Sequence, residues 1–339
     1  MRAQKLFFNQ PYQAEWREVD VPDPGPNEVV IRTRKTMIST GTEMTAYTGD
    51  FPPDSMWTTY ISYPFPGVGY SNVGEIVALG SDVEGYQVGQ RVASWGRHAT
   101  VQTIGLEERS VHVVPDGVTD DQAVFWTLGK TVMNGVRLAT IALGEAVVMV
   151  GVGILGQLAT QYAVLSGAFP LIAVDLSEMR LEMARAHGAT HTLIGGRETL
   201  LDEIREITRG RMADVAFEVT GNQHVIPGVF RMVRRRGRVI LLGTPRGKTE
   251  VDFHNEVHTF GLQVIGAHVS THPEVATPFN PWTSDRNGEL FLDLVGAGKL
   301  RVGDLITHRY AWQDAAAAYQ MLAEDRTQAM GVVLEDWPE

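Results

Sequence analysis

The chain has 339 residues, 44% hydrophobic and 20% charged, with a formal net charge of −11 and no cysteine. That length suggests about two domains with cores that need no staple, and the missing thiols exclude disulfides, thiolate nucleophiles and Cys-based zinc sites. The acidic surplus leaves no basic excess to neutralise phosphates, which argues against a nucleic-acid partner. In chain order, the N-terminus lacks the apolar core of a signal peptide, and no run of about 18 apolar residues follows. No membrane partner is expected, and the cytoplasm is the default compartment.

Residues 1 to about 120 read as mostly β. Short apolar runs (Val29–Ile31, Glu75–Ala78, Val92–Ala93, Ala99–Val101, Val111–Val114) are separated by Pro and Gly turn signals, a spacing that predicts an irregular antiparallel barrel. From Thr119 the pattern changes. Thr119 and Gln122 form a capping-box signature that opens a helix running to about Ala139. Helices are predicted over Met179–His187, Glu198–Arg209 and Val225–Arg235, alternating with strands at Thr192–Ile194, Asp214–Val219 and Arg238–Leu242. That alternation implies a parallel, doubly wound sheet. The basic cluster Arg234 to Arg236 reads as a solvated helix end. His272 to Asn287 reads as a long loop, followed by helices over Glu289–Ala297 and Asp314–Glu324 and a last strand at Met330–Leu334.

The most informative stretch is Val147 to Asp175. An apolar run enters Gly151-Val-Gly153-Ile-Leu-Gly156, a helix-like segment follows, and a second apolar run ends on Asp175, 24 residues beyond Gly151. This is the order of a dinucleotide-binding βαβ unit. Gly151 allows the tight turn, Gly153 lets backbone approach a pyrophosphate, and Gly156 lets the helix pack close. The N–H groups of Ile154 and Leu155 stand at the positive end of the helix dipole. Asp175 accepts ribose hydroxyls and repels a 2′-phosphate, which favours NAD over NADP, although Arg180 lies close enough to stack on adenine or pair with a phosphate. Thr220, Gly243 and Thr244 end successive strands, where ligands bind in open α/β sheets, and are expected as further contacts.

Several pieces together resemble the medium-chain dehydrogenase/reductase superfamily, the zinc-type alcohol dehydrogenase and quinone reductase group, over almost the full length. They are Pro24 to Val29, Gly69 to Gly74, Val88 to Val92, the glycine turn, Ala184 to Thr190 and Gly237 to Gly243. The resemblance implies an α/β protein: a GroES-like β-rich catalytic domain from residues 1–120 and 270–339, and a Rossmann dinucleotide-binding domain over 121–269. It further implies an active site in the interdomain cleft and a homodimer or homotetramer. The departures bear on chemistry. Where zinc members carry Cys-Gly-Thr-Asp and Gly-His-Glu, this chain has Thr40-Gly-Thr-Glu43 and Gly69-Tyr-Ser71, and Thr127 falls at another ligand position. The four-cysteine structural lobe has no counterpart. Thr, Tyr and Ser do not make a first shell for zinc, so no metal is expected.

Without zinc another group must handle the hydroxyl proton. Tyr70 replaces a ligand, and a phenol can donate to a carbonyl as hydride arrives; filling the vacated metal pocket is its alternative role. Thr42 retains the hydroxyl that relays a proton in zinc members, unless it only stabilises its turn. His98 is the best histidine candidate for acid–base work or substrate binding, set against an ordinary surface or loop histidine. His254 and His258 share an i, i+4 spacing without a third ligand nearby, and His268 lies where the family's chain passes the nicotinamide. The reading that follows is a zinc-independent NAD(H)-dependent dehydrogenase acting on a small molecule: a secondary alcohol, polyol or sugar-like substrate. An NADPH-dependent quinone or enoyl reductase, or a catalytically inactive nucleotide-binding sensor, are the alternatives.

Overall fold

Alternating burial along the first segment folds it into a hairpin, β1 (Arg2–Gln10) and β2 (Gln13–Asp20), turned at Tyr12, whose φ is +62°. The computed structural model describes residues 1–106 and 111–338, which divide into two compact units, Met1–Lys130 with Ser284–Glu339 and Thr131–Thr283. After the hairpin come β3 (Glu28–Ile38), α1 (Thr42–Thr48), α2 (Trp57–Tyr60), β4 (Asn72–Leu79), β5 (Arg91–Ser94), β6 (Val101–Gly105), β7 (Val111–Val113), α3 (Asp120–Ala123) and α4 (Trp126–Ala139). The helix expected from Thr119 is thus split in two. Its predicted start is found: the Thr119 side chain accepts from the Gln122 N–H, and the Gln122 side chain accepts from the Thr119 N–H.

The second unit continues with β8 (Val147–Val150), α5 (Ile154–Leu165), β9 (Leu171–Asp175), α6 (Glu178–Ala186), β10 (His191–Ile194), α7 (Leu200–Ile207), β11 (Ala213–Glu218), α8 (Ile226–Phe230), β12 (Val233–Leu241) and β13 (Gln263–Gly266). Its strands form one parallel sheet in the order β10-β9-β8-β11-β12-β13. The order reverses direction between β8 and β11, the topological switch point where open α/β sheets bind ligands. The doubly wound parallel sheet predicted from the strand–helix alternation is the sheet found.

The chain then returns to the first unit with α9 (Ser284–Gly296), β14 (Ile306–Ala311), α10 (Ala315–Glu324) and β15 (Gly331–Glu335). That unit's main sheet runs β14-β15-β3-β4-β5-β7, with β6 also on β3. Only β14 and β15 run parallel; the other pairs are antiparallel. One core lies between this sheet and helices α1 and α10: Phe8 meets Tyr47 and Tyr319 edge-on at 5.3 and 5.0 Å, packed with Leu6, Ile38 and Val332. Each such side chain stabilises the fold by roughly 1.5–3 kcal/mol through burial.

Two local expectations are corrected. The cluster Arg234 to Arg236 belongs to β12, because α8 ends at Phe230 and the strand begins at Val233. A register shift opposite Asp214 accommodates the extra residues, Arg236 takes φ +60°, and Arg234 Nε meets Asp214 Oδ1 at 2.5 Å. The loop after His272 ends earlier than expected, since α9 starts at Ser284 and buries Asn287 and Gly288. Among the described residues no helix is long and apolar enough to cross a membrane.

Ion pairs close the first unit's sheet. Asp121 and Glu335 share Lys35 and Arg309, with Arg309 Nη2 2.6 Å from Asp121 Oδ2 and Nη1 2.9 Å from Glu335 Oε2. Hydrogen bonding from Arg309 holds the Asp121 carboxyl down at about 2; burial opposes this, and Lys35 adds to it. A carboxyl lowered on folding contributes stability above its unfolded value and loses it as pH falls towards the folded one. Arg309→Met therefore lowers Tm at neutral pH, and its gap to the wild type narrows between about pH 4 and pH 2, as thermal unfolding across pH will read. The pair is partly solvated, so the neutral-pH cost is at most about 1 kcal/mol.

Candidate functional site

In the second unit the glycine turn has the geometry its residues dictate. Gly151 sits at φ +89°, where a Cβ would lie 2.8 Å from the Thr220 side chain. A Cβ on Gly156 would lie 2.1 Å from the Gly151 carbonyl oxygen, so the start of α5 can close on the turn only with glycine there. Beside Gly153, by contrast, a Cβ would meet nothing within 4 Å. No side chain caps α5, and no acid lies in its first turn. The N–H groups of its opening residues, Ile154 and Leu155 among them, therefore keep their affinity for an anion.

Asp175 ends β9 beside this turn. Its Oδ2 accepts from the Val152 N–H at 2.8 Å and its Oδ1 from the Ser177 N–H at 3.0 Å, which fixes the carboxylate while leaving lone pairs for further donors. Gln157, fully buried, ties the turn to α6 by donating to the carbonyls of Val152 and Arg180 at 2.9 and 2.8 Å. Arg180 is thereby positioned through its backbone, with its side chain only partly exposed. Across the switch point, Thr220 donates through its N–H (2.8 Å) and its hydroxyl to Glu218 at the end of β11. Gly243 donates its N–H to the Glu218 carbonyl at 2.9 Å, and Gly221 abuts the Thr244 backbone. Gly151, Gly156, Asp175, Thr220, Gly243 and Thr244 thus converge at one end of the sheet. This cradle fits a dinucleotide: glycine is obligatory at two points, and a helix start lies open.

Glu218 escaped the sequence reading. It is fully buried, and burial pushes its carboxyl up against the hydrogen bonds from Thr220 and Gly221. An acid ending an apolar strand was the visible signal.

In the first unit Tyr70, Thr42 and His98 surround a residue that the sequence did not single out, Glu43. His98 is fully buried, with Nδ1 2.7 Å from Thr36 Oγ1 and Nε2 3.0 Å from Glu43 Oε2. It is therefore not a surface histidine. Gly69, at φ +90°, lets the chain pass His98 so closely that a Cβ would lie 2.6 Å from the His98 backbone nitrogen. Tyr70, next in sequence, hydrogen-bonds Ser39 Oγ and also Thr42. Its phenol is pushed up to about 12, by burial first and then by the Glu43 charge, against those two hydrogen bonds. Thr42 is exposed at the start of α1.

Lys130 is a second residue that pattern reading passed over. It is 1% exposed in α4, with Nζ 3.6 Å from the centroid of the Trp126 ring and 5.1 Å from that of Trp95. Burial pulls its pKa down to about 7, with Asp285 opposing. In the second unit, His254 and His258 stand with ring centroids 6.0 Å apart, both exposed, and His268 caps the short helix over Val269–Thr271.

Comparison with known proteins agrees with this architecture. Residues 25–165 match the family described as alcohol dehydrogenase GroES-like domain, and residues 155–284 the family described as zinc-binding dehydrogenase. The L-threonine 3-dehydrogenase of Vibrio cholerae serotype O1 (strain ATCC 39541 / Classical Ogawa 395 / O395) is 27% identical, over 99% of this chain and 100% of that protein. Among solved structures, a zinc-binding dehydrogenase of Sinorhizobium meliloti 1021 bound to NADP superposes with a TM-score of 0.82 at 19% identity, covering 99% of both chains. An alcohol dehydrogenase of Escherichia coli CFT073 complexed with NADH gives 0.82 at 18%, covering 98% of this chain and 99% of that one. With a GroES-like β-rich region, a doubly wound nucleotide sheet and both family matches in sequence order, the chain belongs to the zinc-type alcohol dehydrogenase-like, medium-chain dehydrogenase/reductase superfamily.

Proposed function

We propose that the protein is a zinc-independent, NAD(H)-dependent oxidoreductase that interconverts a secondary alcohol, polyol or sugar-like substrate with its ketone. The observation that carries this reading is Tyr70, a phenol held protonated and hydrogen-bonded where zinc members place a metal ligand. Relatives named as threonine and alcohol dehydrogenases support the alcohol as substrate class.

The donor set argues against zinc. Thr40, Tyr70 and Ser71 offer neutral hydroxyl oxygens, and Tyr70 gives its proton to Ser39 rather than standing as a phenolate. Among the described residues no three His, Asp or Glu side chains gather as a metal would need.

When bound, the nicotinamide nucleotide supplies or accepts a hydride. The protein's own residues do the rest. The α5 N–H groups take the pyrophosphate, while Asp175 accepts from the adenosine ribose hydroxyls and disfavours a 2′-phosphate by charge. Tyr70 donates its proton to the substrate oxygen and regains one through Ser39 or the exposed Thr42. His98, with both nitrogens engaged, acts through Glu43 rather than on substrate.

Fluorescence titration tests the cofactor. NADH binds at least about tenfold more tightly than NADPH if the Asp175 charge decides, and a preference for NADPH would overturn that part of the reading. Oxidation and reduction screens with polyols, sugars and their ketones test the activity; binding without any turnover would favour a sensor.

A further inference from the structure

Glu43 is only 3% exposed, yet it accepts hydrogen bonds from the Ser39 N–H at 2.9 Å, from His98 Nε2 at 3.0 Å and from the Tyr319 hydroxyl. Ser39 lies four residues upstream, just after β3, while His98 comes from the stretch after β5 and Tyr319 from α10. A buried carboxylate costs several kcal/mol unless its lone pairs are met, and an apolar residue would pack on the neighbouring aromatic core at lower cost. The acid is therefore retained for something other than packing. Its Oε1 fixes Ser39, and the Ser39 hydroxyl receives the Tyr70 hydrogen bond, so the anchored charge reaches Tyr70 through one intervening residue.

We propose that Glu43, clamped by His98 and Tyr319, is a positioning residue that holds Tyr70 as a proton donor and so sets the site to reduce a carbonyl near neutral pH. The inference rests on the role given to Tyr70 above. In that direction the carbonyl carbon takes a hydride from the reduced nicotinamide, the C=O electron pair moves to oxygen, and that oxygen takes the Tyr70 proton. The reverse reaction needs Tyr70 as phenolate, which the Glu43 charge disfavours. Among the described residues, Glu43 on α1 and Tyr319 on α10 face the phenol, with Arg97 and His98 after β5 bound to their neighbours Gly69 and Glu43. Arg97 is engaged by backbone, its Nη1 2.9 Å from both the Gly67 and the Gly69 carbonyl oxygens. Burial of the phenol and the Glu43 charge outweigh the Ser39 and Thr42 hydrogen bonds in raising its pKa.

Ultraviolet difference titration tests this without substrate. Subtracting the Tyr70→Phe curve from the wild-type curve isolates the Tyr70 ionisation, expected well above that of an ordinary phenol. In Glu43→Gln it moves down by about one pH unit or more, and the pH at which alcohol oxidation sets in moves down with it. A Tyr70 step that stays in place in folded Glu43→Gln overturns the proposal. Should that variant not fold, a wild-type Tyr70 step at or below the ordinary phenol value, about 10, does the same. The two readings fail separately. A wild type that turns over neither alcohol nor ketone removes the functional reading and the direction with it. Turnover combined with an unmoved Tyr70 step removes only the role of Glu43.

Discussion

Tyr70→Phe lowers kcat for ketone reduction by about 10²- to 10⁴-fold, the range that a positioned proton donor contributes. The substitution removes one oxygen and leaves the ring, so packing around Gly69 and Ser71 persists and Tm changes little. Nucleotide affinity is unaffected, because the cradle is built by residues of the second unit. Steady-state kinetics with saturating nucleotide, alongside a binding titration, make the measurement. If kcat stays within about threefold of wild type, Tyr70 is packing and the proton comes from elsewhere.

Gly156→Val eliminates measurable NADH binding. A Cβ there would lie 2.1 Å from the Gly151 carbonyl, so the helix start must withdraw from the turn and its N–H groups lose their common focus. Gly153→Ala makes the informative partner. Its Cβ meets no protein atom within 4 Å, so the fold tolerates it, and any loss of affinity reports close approach by the nucleotide itself. Fluorescence titration of both, with circular dichroism to check folding, separates protein packing from ligand contact. Wild-type affinity in Gly156→Val would refute the assignment of this turn to the pyrophosphate.

The two halves of this chemistry differ in how far they could be read from residues alone. The nucleotide cradle is local. Gly151, Gly153, Gly156 and Asp175 lie within one βαβ unit, so spacing reveals them; backbone conformation or short-range contact demands Gly151 and Gly156 and anchors Asp175, while Gly153 has open space beside it. The Thr119 cap was legible for the same reason. The Glu43 cluster is not local: Tyr319 reaches it from 276 positions away and His98 from 55. His98 looked free to act because its sequence neighbours do not disclose that Thr36 and Glu43 take both nitrogens. Helix α1 escaped notice because Glu43 to Tyr47 are all buried, which erases the polar stripe that marks a surface helix. The Arg234 to Arg236 run misled for a different reason: a register shift lets β12 carry a charge run that reads as a solvated helix end.

The strand order of the first unit bears on synthesis. Strand β15 pairs with β3 over Val332 to Leu334, so the first unit's sheet stays unfinished until Gly331–Glu335 have been made. The intervening segment, Thr131–Thr283, is continuous and can fold as soon as it emerges. During translation, then, the parallel sheet of the second unit is complete before the sheet of the first. Until β15 arrives, the nascent β3 edge over Thr36 to Ile38 lies open to wrong pairing, which makes that edge the place where chaperones have most to protect.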